Sequence, residues 1–182
     1  MEVLRGRLTV NYTIMTSPIG SILLAKDDAI RVISIQDGKK TTKKPRVALP
    51  GWARDDASLA NEVGQLHAYF AGELTEFDMV LEPEGTAFQC EVWRRLLTIP
   101  FGVTTTYGAI ANEMGRPNAS RAVGAANGAN PIGIVVPCHR VVGASGALTG
   151  YGGGLENKAF LLSHEQRIAN PESAFAQQTF DL

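Results

Sequence analysis

The chain has 182 residues, of which 45% are hydrophobic and 19% are charged, and its formal net charge is −1. This is the composition of an ordinary globular protein, and it excludes a disordered chain and one that coats nucleic acid through strong positive charge. DNA binding by a local surface remains open.

The sequence gives no sign of a membrane or secretory protein. No apolar stretch approaches the length of a membrane span, and the first ten residues lack the apolar core of a secretory signal. Two cysteines, Cys90 and Cys138, and three histidines without ligand spacing are too few for a disulfide framework or a structural zinc site. We therefore expect a cytoplasmic protein with reduced thiols, no metal site and no membrane partner.

The first third of the chain has the pattern of β-strands. Short apolar runs at 8–16, 21–25 and 30–35 are separated by turn sequences at 17–20 and 27–28. Three short strands joined by tight turns predict an antiparallel meander.

The pattern changes after these strands. A basic stretch broken by proline lies at 39–46, and we interpret it as a solvated loop rather than an arm that contacts DNA. Residues 58–71 place apolar side chains at helical spacing and Gly72 supplies a stop, so we expect an amphipathic helix there. A strand-like run at 77–81 ends at the turn sequence 83–85.

The turn at 83–85 is the predicted domain boundary. We assign 1–85 to an N-terminal α/β domain and 86–182 to a C-terminal domain. Residues 170–182 show little periodicity, and we expect them to form a poorly ordered tail.

Beyond the boundary the pattern becomes mainly helical. Thr86 and Gln89 form a capping-box sequence that opens a helix. The side chains expected to face inward on this helix are Phe88, Val92, Trp93, Leu96 and Leu97. A last helix is predicted at 155–165, and its inward side chains are expected to be Phe160, Leu161 and Leu162.

Two short helices are predicted between these, at 107–114 and 119–128, joined by a turn that contains Gly115. Their arrangement is that of a helix-turn-helix, which places its second helix against DNA in many proteins. Many helical hairpins of this kind never bind DNA, so the pattern alone leaves both roles open.

Cys138 is the residue with the clearest chemical potential. An apolar run at 132–136, predicted as a buried strand, leads through Pro137 to Cys138 and His139. A thiol titrates near pH 8.5 and reacts as the thiolate, so a nucleophilic role needs a base such as His139. Adjacent residues of an extended chain point to opposite faces, so the base would act through water unless the chain turns there. A structural cysteine beside a hydrogen-bonded histidine fits the same residues.

The motifs around Cys138 are highly specific. They are PCHRVV at 137–142, NP at 130–131 and LTGY at 148–151. Together with RAVG at 121–124 and KAFLLSHE at 158–165, they closely resemble the 6-O-alkylguanine-DNA alkyltransferases. The resemblance spans about 88–165, and SPIG and YFAGEL in the first half resemble the bacterial single-function members.

The resemblance implies a fold and a reaction. The fold is α+β, with an N-terminal antiparallel sheet and helix of ribonuclease H-like form and a C-terminal winged-helix-like domain that contains the helix-turn-helix. The reaction is DNA repair by direct reversal, in which the alkyl group of 6-O-alkylguanine moves irreversibly to Cys138, once per molecule and without a cofactor. His139 would deprotonate Cys138 through water, and Glu165 would hold His139.

The resemblance also assigns the residues that meet DNA. Asn130 would brace the turn that leads to Cys138, and Tyr107 would hydrogen-bond towards the target nucleotide and help to extrude it. Arg121 would replace the flipped base. The helix that carries Arg121 would lie in the minor groove, and its close-contact residues would be Ala119, Ser120 and Gly124.

The flipped base would occupy a pocket formed by Tyr151 and by backbone groups near Val141 and Gly152. Position 152 is glycine where some relatives have serine, so one side-chain hydrogen bond is expected to be missing. We expect a monomer in solution whose partner is double-stranded DNA that contains alkylated guanine. The sequence leaves activity on O4-alkylthymine and cooperative assembly along DNA open.

Two other functions fit parts of the sequence. The alkyltransferase-like proteins bind alkylated DNA as sensors but lack the acceptor cysteine, which is present here as Cys138. A cysteine hydrolase would use Cys138 and His139 over many turnovers, but no hydrolase signature accompanies them. We interpret Cys90 and His67 as packing or surface residues, and we expect His164 to lie at a helix end.

Overall fold

The N-terminal part of the chain forms a four-stranded sheet in the computed structural model, which describes residues 9–36 and 47–172. The strands are β1 (Asn11–Ser17), β2 (Gly20–Lys26), β3 (Ile30–Ile35) and β4 (Ala53–Arg54). They lie in the order β3-β2-β1-β4, with the first three antiparallel and β4 parallel to β1. The predicted meander is confirmed, and the short β4 strand was not predicted.

The sheet is covered on both faces, which explains the continuous apolar run of its central strand. Four successive residues of β2, Ile22 to Ala25, are each at most 2% exposed. Leu23 and Ala25 pack with Val32 and the partly buried Trp52 in a small cluster. Ile22 and Leu24 belong to the main core, which the C-terminal helices share.

Helix α1 (Ala60–Ala71) covers the main-core face of the sheet and ends at Gly72, as predicted. The strand predicted at 77–81 is wrong, because only Leu81 pairs with the sheet, through an isolated bridge to Ile30. Ile30 donates to the Val80 carbonyl at 2.8 Å, so the segment runs beside β3 without forming a ladder.

The C-terminal part is mainly helical. Its elements are α2 (Ala87–Leu96), β5 (Thr105–Thr106), α3 (Tyr107–Glu113), α4 (Ser120–Ala129), β6 (Val141–Val142) and α5 (Leu155–Ala169). The predicted capping box is confirmed, since Gln89 N donates to Thr86 Oγ1 at 3.3 Å and Thr86 N donates to Gln89 Oε1 at 2.8 Å. Leu97 is an incorrect core assignment: it is 48% exposed just after α2 ends.

The predicted helix-turn-helix elements are confirmed. Helices α3 and α4 are joined by Gly115 and a 3-10 turn at Pro117–Ala119, and the two helices pack against each other. Trp93 of α2 donates from its indole nitrogen to the Ala126 carbonyl at 2.9 Å, which ties α4 to the core.

The strand predicted at 132–136 is wrong. Only Ile132 forms a bridge, to Ile33, and Ile134 has a positive φ of 70° that no regular strand contains. The segment is anchored to β3 by two backbone bonds: Gly133 N donates to the Ile33 carbonyl at 2.9 Å, and Ile33 N to the Pro131 carbonyl at 3.0 Å. The segment is irregular but crosses the core, so its apolar side chains are buried. A buried strand and a buried irregular segment have the same continuous apolar sequence, so the sequence does not distinguish them.

Helix α5 is longer than predicted, and its buried face is partly polar. Leu161 is fully buried as expected, but Phe160 is 37% exposed, so its core assignment is wrong. The other buried residues of the helix are Lys158, His164 and Glu165. His164 lies within α5 rather than at its end, so that prediction is wrong. The spacing of apolar residues cannot predict a buried helix face that is partly polar.

Two predictions fall on other parts of the chain. The basic stretch at 39–46 and most of the predicted tail, 173–182, lie outside the described residues. Within the described ranges no helix has the length and apolar character needed to cross a membrane.

The contact between Gly102 and α5 provides a test of this packing. Gly102 has φ 72°, and a Cβ built on it would lie 2.6 Å from the Ala169 Cβ, whereas Gly115 has φ 68° and open space around it. We expect Gly115→Ala to lower the free energy of unfolding by about 1–2 kcal/mol, the cost of the left-handed backbone alone. Gly102→Ala should cost about 1–3 kcal/mol more, because of overpacking. Urea denaturation of both variants measures the difference, and equal losses would contradict the close approach.

Candidate active site

Cys138 lies at the start of a 3-10 turn, Cys138–Arg140, and is 6% exposed. The chain therefore turns at Cys138, which is one of the two conformations that the sequence left open. The residue lines a cleft of about 350 Å³, which is within the usual size range of ligand sites. Other residues of the cleft wall are Asn127, Asn130, Pro131, Tyr151, Gly152 and Gly153.

Asn130 holds the segment that leads to Cys138. It follows the last residue of α4, and its side-chain nitrogen donates to the carbonyls of Val136 at 2.9 Å and Ile132 at 3.2 Å. Its side-chain oxygen accepts from Ile132 N at 3.0 Å. These three bonds join both ends of the irregular segment to one amide, so Asn130 fixes where the turn places the thiol.

His139 and Glu165 form a fully buried pair. His139 Nε2 lies 2.8 Å from Glu165 Oε1, and both side chains have no exposed surface. Because an ionised carboxylate can only accept, the hydrogen is on Nε2 and the lone pair of the neutral ring is on Nδ1. Nδ1 is buried and forms no hydrogen bond with a protein atom of the described chain, so Cys138 and His139 do not bond directly.

Glu165 accepts hydrogen bonds from four residues of distant segments. Arg140 donates to both carboxylate oxygens, at 2.8 and 2.9 Å. The Tyr69 hydroxyl donates to Oε1 at 2.8 Å and the Gly102 amide to Oε2 at 3.1 Å, in addition to the bond from His139. Burial alone would raise the pKa of this carboxyl, but the bonds to His139 and Arg140 outweigh it and lower the pKa to about 2. Glu165 is therefore an anion throughout the physiological range.

The Cys138 thiol is protonated in the resting protein. Burial raises its pKa above that of a free thiol, while a hydrogen bond from Asn130 and the positive charge of Lys158 act in the opposite direction. The thiol therefore needs a proton acceptor before it can act as a nucleophile.

Lys158 is a site residue that the sequence argument missed. It lies on α5 with no exposed surface, and its ammonium donates to the carbonyls of Val141 at 2.6 Å and Thr149 at 2.7 Å. Burial lowers its pKa to about 8, and the proximity of Cys138 works against that effect. The spacing of the residues could have indicated this position. Lys158 precedes Leu161 by three positions and Glu165 by seven, which places all three on one face of the helix.

The predicted base pocket is partly assembled. Tyr151, 4% exposed, and Gly152 line the cleft beside Cys138, whereas Val141 is fully buried outside the lining and its carbonyl accepts from Lys158. Three residues of β3, Ile33, Ser34 and Ile35, form another part of the wall. This contribution of the N-terminal sheet was not predicted, because no residue pattern within β3 indicates which segment will pack against it.

The predicted DNA-contacting residues lie at the helix-turn-helix. Arg121 is exposed near the start of α4, Ser120 is the first residue of that helix, and Ala119 ends the preceding 3-10 turn. Gly124 faces the ring of Tyr107, to which a Cβ would approach within 3.7 Å. The Tyr107 hydroxyl donates to the Thr149 carbonyl at 3.2 Å, which places Tyr107 between α4 and the loop that carries Tyr151.

The remaining thiol and imidazoles lie elsewhere. Cys90 is partly buried on α2 with its sulfur 3.7 Å from the Gly85 carbonyl, and His67 is exposed on α1. His164 donates from Nε2 to the Tyr69 carbonyl at 2.8 Å. No group of three or more metal-binding side chains occurs in the part of the chain that the structure describes.

The Glu165 pair gives a pH-dependent prediction. Glu165→Gln leaves Arg140 buried without its anionic partner, so we expect a loss of about 3–5 kcal/mol in the free energy of unfolding at pH 7. Because folding lowers the pKa of Glu165 from 4.5 to about 2, its stabilisation is present above pH 4.5 and is lost as the pH falls towards 2. The difference between wild type and variant should narrow over that interval in denaturant titrations. Glu113→Gln, at an exposed carboxylate of α3, is the control, and a pH-independent difference would contradict the assignment.

Comparison with known proteins places this arrangement in a family. Residues 10–83 match the model of the ribonuclease-like domain of 6-O-methylguanine DNA methyltransferase, and residues 87–167 match the model of its DNA binding domain. These matches agree with the α+β fold that the resemblance implied.

Individual relatives cover nearly the whole chain. The methylated-DNA–protein-cysteine methyltransferase of Mycolicibacterium paratuberculosis is 52% identical over 158 residues, 87% of this chain and 93% of the relative. That of Methanosarcina acetivorans is 52% identical over 155 residues, 85% and 97% of the two chains. The crystal structure of Mycobacterium tuberculosis OGT in complex with DNA superposes with a TM-score of 0.77 at 48% identity, covering 87% of this chain and 94% of that one. The chain therefore belongs to the 6-O-methylguanine DNA methyltransferase family.

Proposed function

We propose that the protein repairs double-stranded DNA by transferring the alkyl group of 6-O-alkylguanine to the sulfur of Cys138. The observation that carries the proposal is the position of this thiol on the wall of a cleft, directly before a buried imidazole that an ionised carboxylate orients. The new carbon–sulfur bond forms as the bond between the alkyl carbon and the guanine oxygen breaks, and the guanine leaves with the electron pair.

His139 is the proton acceptor in this proposal. Its Nδ1 has a lone pair and no protein partner among the described residues, and it would take the thiol proton through a water molecule. The resulting imidazolium keeps its Nε2 hydrogen bond to Glu165, whose negative charge stabilises the positive ring. The carboxylate does not itself need to take a proton.

Lys158 supports the same step electrostatically. As the thiolate forms, a buried ammonium nearby lowers its energy, and the attraction is strong because water is excluded. The two carbonyl bonds of Lys158 hold the ammonium in place before the reaction, so it requires little reorganisation when charge develops.

The base must leave the duplex to reach Cys138, which costs a few kcal/mol. Arg121 would offset part of this cost by filling the gap, and Tyr107 would contact the extruded nucleotide. The small residues Ala119, Ser120 and Gly124 would allow α4 to approach the minor groove of the DNA closely. Tyr151 and Gly152 would hold the base, with backbone groups near Val141 behind them.

The product explains why each molecule would act once. An S-alkyl thioether has no acyl carbon for water to attack, and a thiolate is a poor leaving group from an alkyl carbon.

We place the reaction in the cytoplasm, where a free thiol stays reduced. We also propose that 1–85 and 86–182 are its two domains, with Cys138 in the second.

The central test is the fate of the thiol. We expect a duplex with one 6-O-methylguanine to transfer its methyl group to Cys138, at one event per molecule, as measured by peptide mass spectrometry. Cys138→Ser should abolish transfer, while Cys90→Ser should retain the wild-type yield because that thiol is a packing group on α2. A wild-type protein that binds the lesion but leaves it intact would contradict transferase activity and favour a sensor.

The role of Arg121 can be separated from the chemistry. Arg121→Ala should slow repair of the duplex by at least about tenfold, the equivalent of 1.4 kcal/mol, because the flipped state loses its replacement group. Its reaction with free 6-O-benzylguanine, which needs no base flipping, should stay within about twofold of wild type. Arg167→Ala, at an exposed arginine of α5, is the matched control. Equal losses on both substrates would contradict a role for Arg121 in extrusion.

A further inference from the structure

Tyr69 connects the N-terminal helix to the Glu165 carboxylate. The side chain lies on α1, has no exposed surface, and donates from its hydroxyl to Glu165 Oε1 at 2.8 Å. Its backbone carbonyl accepts from His164 at 2.8 Å, so two successive residues of α5 bind the same tyrosine. The proposed function does not use this residue.

The ring of Tyr69 is fixed by aromatic neighbours on several sides. Its centroid lies 5.3 Å from that of Phe70, 5.4 Å from Phe77, 6.1 Å from Phe101 and 5.3 Å from His164. Because these contacts hold the ring in one orientation, the hydroxyl has a defined target rather than a choice of partners.

The target is the carboxylate oxygen that also binds the proposed base. Oε1 of Glu165 accepts from His139, Arg140 and Tyr69 together. Each donor partly neutralises the negative charge of that oxygen. Each therefore weakens the hydrogen bonds that the oxygen accepts from the other two donors. With the tyrosine bond present, the carboxylate is a weaker partner for a positively charged imidazole than it would be with two donors only.

We propose that Tyr69 is a positioning residue for alkyl transfer: its hydrogen bond to Glu165 keeps His139 neutral at rest, with Nδ1 free to accept the proton of Cys138. The inference rests on the proposed function of Cys138 and His139. In this role a residue of the N-terminal part of the chain influences, through Glu165, chemistry that takes place on C-terminal residues.

Within 9–36 and 47–172, the charged and titratable groups that face the pair come from α1, the 3-10 turn and α5. Glu165 faces Tyr69 from α1 and His139 and Arg140 from the 3-10 turn, together with the Gly102 amide. His139 is also influenced by Lys158 of α5, and the charges of Cys138 and Glu165 act on Tyr151. Burial lowers the pKa of His139, and Arg140 and Lys158 act in the same direction, against the raising effect of Glu165.

Removing only the hydroxyl tests this role. In Tyr69→Phe the aromatic packing remains and Glu165 keeps its bonds to Arg140 and Gly102, so the carboxylate stays in place with more charge available to His139. We expect the acid limb of the single-turnover rate of methyl transfer to move to higher pH by up to about one unit. On that limb the rate should fall several-fold, and it should stay within about twofold of wild type on the alkaline plateau. Tyr12→Phe, at the partly buried tyrosine of β1, should leave the profile unchanged.

A second measurement does not depend on the rate. The pKa of His139, followed by its ring nitrogen resonances, should rise in Tyr69→Phe and fall when 3-fluorotyrosine, a stronger donor, occupies position 69. A lower unfolding free energy with unchanged pKa and profile would show a purely structural role and overturn the proposal.

Different results would overturn the role of Cys138 and the role of Tyr69. If wild-type protein transfers no methyl group to Cys138, or if His139→Gln reacts at the wild-type rate, the proposed function fails. If both of those expectations hold and position 69 leaves the titration of His139 unchanged, only the role of Tyr69 fails.

Discussion

The structure depends on one buried anion. Glu165 has no exposed surface, and an ionised carboxylate in that position is tolerable only if its oxygens are fully bonded. Five hydrogen bonds from Tyr69, Gly102, His139 and Arg140 satisfy them. Since these donors come from α1, the α2–β5 loop and the 3-10 turn, the carboxylate requires distant parts of the chain to meet at one point.

This requirement explains why the two halves share one core. Helix α1 contributes Tyr69 to the carboxylate, and β3 forms two backbone hydrogen bonds with the segment that precedes Cys138. The sheet therefore does more than cover apolar surface, because it binds the start of the irregular segment, and Asn130 joins both ends of that segment. Cys138 is positioned by backbone bonds on one side and by the Glu165 cluster on the other.

Features that depend on residues close together in the sequence could be predicted more reliably than features that depend on distant segments. The capping box of Thr86 and Gln89 and the helix stop at Gly115 are decided within a few residues, and both predictions were correct. The resemblance also predicted that Glu165 holds His139, a hydrogen bond between residues 26 positions apart. The strand predicted at 132–136 was wrong because its apolar pattern reports burial, not conformation. The site roles of Tyr69 and Lys158 were not predicted, because each residue is compatible with an ordinary helix position. Their polar partners lie in distant segments and are known only from the fold.

The same cluster resolves an apparent conflict in the site. Burial holds Cys138 protonated, which would protect a thiol that is proposed to react only once, yet the proposed reaction needs the thiolate. A strongly basic neighbour would ionise the thiol at rest, and a charged imidazole could not accept its proton at all. A neutral His139, held by a carboxylate whose charge is shared among several donors, avoids both extremes. The prediction from sequence that Cys138 and His139 do not bond directly was correct, but for a different reason: the chain turns there, and Glu165 fixes the ring through Nε2. In the proposed reaction, the proton path would therefore be set by the carboxylate behind the histidine rather than by contact between the two adjacent side chains.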